Sequence, residues 1–175
     1  MDAQTGATPA VPPTGRASEA SNLYQEGIIA GLAGAATIAV WFLILDIING
    51  RPFYTPNVLG TALFRRGEGL ASPGTLAISL EMVLMFTWVH GLVFAVIGGV
   101  ASWLVGLAER NPSLGFGIVV FFVFFEFGFL VVAWIFVEPV LHALAWPAIL
   151  VANVLAAAVM AGYFWLRHPN LRIRP

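Results

Sequence analysis

Two titratable side chains lie deep inside long apolar runs of this sequence. His90 is in the middle of Phe86-Thr-Trp-Val-His-Gly-Leu-Val-Phe94, and Glu126 follows Val119-Val-Phe-Phe-Val-Phe-Phe. If the first run spans a bilayer, His90 lies about 15 Å from the nearest water at 1.5 Å per residue. An isolated charge at that depth is costly, so the imidazole and the carboxyl group are expected to pair or to stay neutral.

Four polar side chains from four separate runs share a depth near the bilayer midplane. Counted from the side that carries the longest connection, each lies about ten or eleven residues inside its run at 1.5 Å per residue. The members of this buried polar layer are Thr37, His90, Glu126 and Asn153. Thr37 faces away from the small-residue face of its own run. The layer predicts a hydrogen-bonded clamp of Glu126 on His90, with Asn153 as a further partner, or else a proton relay or a site for a transported species.

A second group of polar side chains is predicted nearer the surface that carries the long connection. Its members, the loop-side cluster, are Asp46, Arg51, Glu81, Glu138, His142 and Trp146. His142, Trp146 and Asn153 share one helix face, because their spacings of 4, 7 and 11 are close to whole turns. This face could form a polar path from the surface to the midplane. The alternative is ordinary interfacial anchoring by tryptophan, arginine and acidic residues.

Other chemistries find little support in the residue types. The chain has no cysteine, so thiolate metal sites and cysteine nucleophiles are excluded. A haem needs two axial ligands facing one iron, whereas His90 and His142 differ by about 10 Å in predicted depth. A metal site from His90, Glu126 and His142 has suitable ligand types but no local motif, and no Gly-x-Ser-x-Gly or His-Glu-x-x-His motif is present. No catalytic residue, metal or cofactor is therefore predicted.

The elements that position these residues are predicted to be membrane-spanning helices. Of 175 residues, 59% are hydrophobic and only 10% are charged, whereas soluble domains carry about 25% charged residues. Apolar runs at about 27–48, 77–107, 114–137 and 140–166 are each long enough to cross the hydrocarbon core. The prediction is an all-α polytopic membrane protein with a four-helix transmembrane domain over 23–168.

The segments outside the four runs are predicted from their composition. Residues 1–22 are rich in Ala, Pro, Thr, Gly and Ser and predict a disordered tail, and 169–175 form a short basic tail. In the long first connection, Thr55-Pro56 predicts an N-cap and a first helical residue. Val58, Leu59, Ala62 and Leu63 lie on one face of this segment. We therefore expect a short amphipathic helix in the membrane interface. Within the fourth run, Pro147 predicts a kink.

Small residues recur on one face of the first run and on one face of the second. Such faces allow the backbones of two helices to approach closely in lipid. The predicted packing positions are Gly27, Gly31 and Ala35 in the first run, and Gly91, Ala95, Gly98 and Gly99 in the second.

Charge distribution predicts the location and the orientation. Four spans place both termini on one side, where five of the eight arginines fall. This excess favours cytoplasmic termini in a multi-pass protein of the cell membrane. The net charge of −1 offers no electrostatic basis for binding nucleic acid. The lipid bilayer is the expected partner, with a homo-oligomer or a larger membrane complex as further possibilities.

Part of the sequence resembles a class of small bacterial four-span membrane proteins of uncharacterised function. The similarity covers about residues 25–100 and includes the Gly27, Gly31 and Gly34 spacing, the Trp41-Phe-x3-Asp46 end of the first run, and Gly50-Arg-Pro-Phe53. His90-Gly91 also fits the class. The resemblance implies a small bacterial inner-membrane protein and brings no activity or functional residue.

Three classes of function follow from these features. The favoured hypothesis is a non-enzymatic structural or accessory subunit that packs through its small-residue helix faces. The alternative is a small transporter, channel or proton-conducting protein that uses the midplane pair of His90 and Glu126. A lipid- or cofactor-binding membrane module is a further alternative.

Overall fold

The structure is a computed structural model that describes residues 13–66, 70, 76–110 and 146–168. Every regular element in these ranges is a helix: α1 is Pro13–Ile48, α2 is Tyr54–Phe64, α3 is Leu80–Arg110 and α4 is Trp146–Arg167. The third predicted run, with Glu126, Glu138 and His142, lies outside the described residues.

Three of the four described helices are long and apolar enough to span a membrane. The candidate spans are Tyr24–Ile48, Leu80–Glu109 and Pro147–Arg167, with 25, 30 and 21 residues. They correspond to the first, second and fourth predicted runs. Most of their large apolar side chains face outward, as expected for surfaces that contact lipid. Examples are Val40, Leu84, Trp88, Val96, Val154 and Trp165.

The ends of the helices differ from the prediction at two places. α1 begins at Pro13, so residues 13–22, predicted as part of a disordered tail, are helical in the structure. Proline suits a helix start because its missing N–H would be unpaired there anyway, and the largely polar residues after it continue without a break into the apolar part of α1. Pro147 is the second residue of the described α4. The carbonyl of Ala143, which a kink would free, lies outside the described residues.

α1 is the centre of the bundle. It packs along both α3 and α4, whereas α3 and α4 contact each other at few points. The α1–α3 crossing is close because glycines face glycines there. A β-carbon added to Gly31 would collide with the carbonyl oxygen of Phe94, and one added to Gly98 would collide with that of Gly27. The predicted small-residue packing therefore lies at this crossing.

The other predicted packing positions contribute to the crossing in different ways. Ala35 is buried, and Ala95 lies opposite Gly31. The Cα of Gly99 lies 2.8 Å from a β-carbon built on Gly27, so the Gly99 backbone is part of the crossing. Among the described residues, a β-carbon on Gly99 itself would meet nothing within 4 Å, and one on Gly91 would meet only Leu32, at 3.9 Å.

α2 packs against the first turns of α3 with a face that is largely polar. Its N-cap is Phe53 in the left-handed conformation, with φ 65°, so the predicted N-cap at Thr55 is wrong by two residues. Gly60 lies against the backbone of Met82. Of the predicted apolar face, Val58 is fully buried but Leu63 is 56% exposed. The buried face therefore combines Val58 with polar and small residues, while two apolar side chains at the end of α2, Leu63 and Phe64, face outward.

Candidate functional site

His90 links α3 to α1 at the depth of the predicted polar layer. Its Nε2 lies 3.4 Å from the carbonyl oxygen of Ala35. Since a carbonyl only accepts, Nε2 carries the hydrogen in this contact. The ring lies between those of Phe86 and Phe94 on its own helix, with centroid distances of 5.5 and 4.8 Å. Within the described residues nothing bonds to Nδ1, which in this tautomer is a hydrogen-bond acceptor.

Thr37 is not part of the layer around His90. Its hydroxyl donates to the carbonyl oxygen of Ala33, one turn earlier, at 2.8 Å. Thr37 and Ala35 are separated by about 200° around α1, so they lie on opposite sides of the helix. Thr37 instead lines an outer groove with Trp41 and Leu155.

The other members of the layer are only partly placed. Asn153 is half-buried on α4, whereas Glu126 lies outside the described residues. The predicted pairing of Glu126 with His90 therefore stays a prediction.

Asp46 caps α2 from the end of α1. Its two carboxylate oxygens each accept a hydrogen bond from Thr55: Oδ2 from the backbone N–H and Oδ1 from the hydroxyl, both at 2.8 Å. The Asp46 residue is 4% exposed. A carboxylate at this position satisfies a free helix N–H and also opposes the positive end of the helix dipole.

The remaining described members of the loop-side cluster form separate local pairs. The Arg51 guanidinium lies over the Tyr54 ring, 4.0 Å from its centroid. Glu81 forms an exposed ion pair with Arg65 at 3.5 Å. Trp146 is the first residue of α4, but its side chain, like Glu138 and His142, is not among the described parts. The polar path from the surface to the midplane therefore stays a prediction.

Asn57 holds the segment that leads into α3, which the sequence analysis did not foresee. Its side chain is fully buried. Nδ2 donates to the carbonyl oxygen of Ala77 at 3.1 Å, and Oδ1 accepts from the N–H of Ser79 at 2.9 Å. Asparagine next to the apolar Val58 was a usable signal, because a buried amide must be hydrogen-bonded.

A second unforeseen cluster joins the three long helices at the side of the termini. His168 Nδ1 lies 2.7 Å from Glu109 Oε1, and its Nε2 lies 3.3 Å from Glu26 Oε2 but without hydrogen-bond geometry. Arg167 pairs with the other Glu26 oxygen at 3.5 Å. We call Glu26, Glu109, Arg167 and His168 the terminal-side cluster. The signal in the sequence was an ionisable residue at the same end of each of three runs.

A tryptophan joins α1 to the start of α4. The indole Nε1 of Trp41 donates to the carbonyl oxygen of Ala148 at 3.0 Å. This bond places the first turn of α4 beside the loop-side half of α1, while His168 places its last turn beside Glu26.

No protein-family model, curated protein or solved structure matches this chain. Within the described ranges, no group of three or more His, Cys, Asp or Glu side chains is arranged to hold a metal ion.

Most of the polar contacts described above connect different parts of the chain. Those of Asp46, Asn57, Trp41, His90 and the terminal-side cluster do so, whereas Thr37 bonds within its own helix. This arrangement orients helices and caps helix ends; in the described parts it does not assemble a nucleophile with a base.

Proposed function

We propose that this chain is an integral membrane protein with a non-enzymatic, structural role, as an accessory subunit or a self-associating protein. The main support is that its polar side chains join one helix to another, while its outward surface is apolar. Polar groups in a bilayer are costly unless they are paired within the protein. Their pairing leaves the apolar helix faces as the surface available to lipid and to other membrane proteins.

The proposed topology has four spans, with a third crossing at about 114–137. The contact between His168 and Glu109 brings the ends of α3 and α4 to one side. The bond from Trp41 to Ala148 brings the start of α4 to the other side. Residues 111–145 must therefore connect opposite sides, and an apolar run of about 24 residues makes a helix of about 36 Å. That length exceeds the hydrocarbon core of about 30 Å.

We also propose that α2 lies in the loop-side membrane interface. Its buried face carries Thr55, Asn57 and Thr61, while Leu63 and Phe64 are exposed. Exposed apolar side chains beside Arg65 and Arg66 suit a position between lipid tails and headgroups. The excess of arginine at the terminal side supports cytoplasmic termini in a bacterial inner membrane.

Native mass spectrometry from mild detergent tests the structural role. We expect a discrete oligomer or a co-purifying membrane partner. A strictly monomeric species that co-purifies with nothing would contradict the proposal. An absorbance spectrum and a bound-lipid mass analysis of the same sample test the alternative of a lipid- or cofactor-binding module.

One observation favours a second candidate, a transport or proton-conducting protein. His90 is a titratable side chain within a candidate span, and none of the described residues bonds to its Nδ1. Flux into proteoliposomes is expected to fall for His90→Ala and Glu126→Gln if this candidate is correct. Thr37→Val is the matched control, because Thr37 lies on the other side of α1 and, among the described residues, its hydroxyl bonds to its own helix. Absent flux, or equal flux in all variants, would exclude the candidate for the ions tested.

A further inference from the structure

The α3–α4 cleft is the space that α3 and α4 leave between them over one face of α1. Gly34 lies on its floor: a β-carbon added there would meet Met160 Sδ of α4 at 2.9 Å and Phe94 Cδ1 of α3 at 3.3 Å. Ala35, next to it, receives His90 from the α3 side. On the opposite side of the cleft floor, α1 itself stands between α3 and α4. A further helix can therefore contact both α3 and α4 only from the side that carries His90.

The chain outside the described ranges has the length and the end points to fill this cleft. It leaves α3 at the terminal side, after Arg110, and re-enters α4 at the loop side, at Trp146. Its apolar run is followed and preceded by short connections, and short connections join antiparallel neighbours. A helix that neighbours both α3 and α4 has to lie over the α3–α4 cleft.

The polar side chains beside the cleft match the one ionisable side chain of the segment that would fill it. His90 contacts Ala35 at the floor of the cleft, and its Nδ1 is an acceptor when Nε2 donates to that carbonyl. Asn153 is half-buried on α4. Residues 114–137 contain one ionisable side chain, Glu126. A carboxyl group can donate its proton to the imidazole or pair with its charged form, and depth counted along the runs puts the two groups at one level.

From this placement we infer that the α3–α4 cleft is the docking surface for residues 114–137 of this same chain, packed antiparallel to α3 with Glu126 level with His90. The inference rests on the proposed four-span topology and adds the position of the third span opposite α1. The outer groove of about 570 Å³ on the other side of α3, lined by Val96, Gly99 and Trp103 among others, then stays open to lipid.

Cysteine pairs test the position, because the natural chain has no cysteine. Ile97 follows His90 by two helix turns and Val119 precedes Glu126 by two turns, so antiparallel packing brings 97 and 119 together. The test pair is Ile97→Cys with Val119→Cys, and a second pair is Ala101→Cys with Gly115→Cys. The matched control is Val96→Cys with Val119→Cys, because Val96 lines the outer groove instead.

After oxidation in membranes, a maleimide mass tag counts the thiols that remain. Variants enter the test only if they elute and melt like the parent protein before oxidation. We expect the thiols of a test pair to fall at least several-fold in the monomer band, and those of the control pair to remain. The inference is overturned by a linked control pair, by linkage between two copies, or by no linkage in either test pair.

A topology measurement separates this inference from the proposal on which it rests. Single variants Ser113→Cys and Glu138→Cys are labelled with a membrane-impermeant maleimide from each side. If both cysteines are labelled from the same side, the proposed four-span topology is itself contradicted. Labelling from opposite sides, without a disulfide in the test pairs, would leave four spans standing and overturn only the docking position.

Discussion

At the scale of single residues, two polar side chains near the loop-side end of the protein each form two hydrogen bonds to another segment of the chain. Asp46 and Asn57 are both nearly or fully buried, and each bonds twice to backbone or side-chain groups that would otherwise be unpaired. A buried polar group left without a partner costs about 1–3 kcal/mol. These residues are therefore expected to dominate the stability of the loop-side end.

Removal of the Asp46 carboxylate is expected to loosen α2. Asp46→Ala takes away the cap on Thr55, and loss of such a cap costs about 0.5–2 kcal/mol. Asp46→Asn keeps one acceptor oxygen and is expected to lie between Asp46→Ala and the parent protein. Thermal unfolding in detergent, monitored by intrinsic fluorescence, ranks the melting temperatures of the three proteins. Equal melting of all three proteins would contradict the cap.

Asn57 offers a second test at the same end. Asn57→Ala leaves the carbonyl of Ala77 and the N–H of Ser79 without this partner, and we expect a loss of about 1–3 kcal/mol. The readout is faster hydrogen exchange at 77–80 as well as a lower melting temperature. A lower melting temperature with unchanged exchange at 77–80 would show that Asn57 acts elsewhere.

The Glu81–Arg65 pair and the contacts of His168 are expected to contribute differently to stability, because the two groups differ in exposure. Glu81 and Arg65 are largely exposed, and exposed pairs contribute about 0–1 kcal/mol. The His168 side chain is 14% exposed and contacts carboxylates from two other helices. We therefore expect His168→Ala to lower the melting temperature clearly and Arg65→Ala to have little effect. A larger effect of Arg65→Ala would reverse this ranking.

At the scale of the elements, two glycines of the α1–α3 crossing are expected to respond differently to replacement by alanine, because a β-carbon has space at one of them and not at the other. Gly31→Ala puts a β-carbon into the Phe94 backbone, and overpacking of this kind costs about 1–3 kcal/mol. Gly99→Ala meets open space, so it is expected to be neutral or stabilising by up to about 1 kcal/mol through helix propensity. Melting of the two variants in one detergent is the measurement, and equal destabilisation would contradict the crossing.

At the scale of the whole molecule, orientation is the property that the arginine distribution predicts. Pro52 is exposed near the loop-side end of α1, and Gln25 is exposed near the terminal-side end. We expect Pro52→Cys to react with an impermeant maleimide in intact cells. Gln25→Cys is expected to react only after the membrane is permeabilised. The opposite pattern would place the termini outside and overturn the proposed orientation.

Local patterns in the sequence were sufficient for the helices and for much of the small-residue crossing. Long apolar runs can satisfy their backbone groups in lipid only as helices, so 27–48 and 77–107 predict α1 and α3 without knowledge of their neighbours. The buried face of α2 was predicted only in part: Val58 is fully buried, but Thr55, Asn57 and Thr61 are buried as well and Leu63 is exposed. The reason is that buried polar side chains of α2 find hydrogen-bond partners on neighbouring segments, such as Asp46 and Ala77, which spacing along α2 does not reveal.

What the sequence by itself determined is the kind of element and the position of each described polar residue along its helix, since both depend on residue spacing along one helix. Only the tertiary structure decided which helix each polar group meets. Thr37 and His90 share a predicted depth but lie on different sides of α1, and the terminal-side cluster joins residues more than 50 positions apart. Such partners depend on how helices rotate and cross, and that rotation is set by backbone contacts such as Gly31 against Phe94.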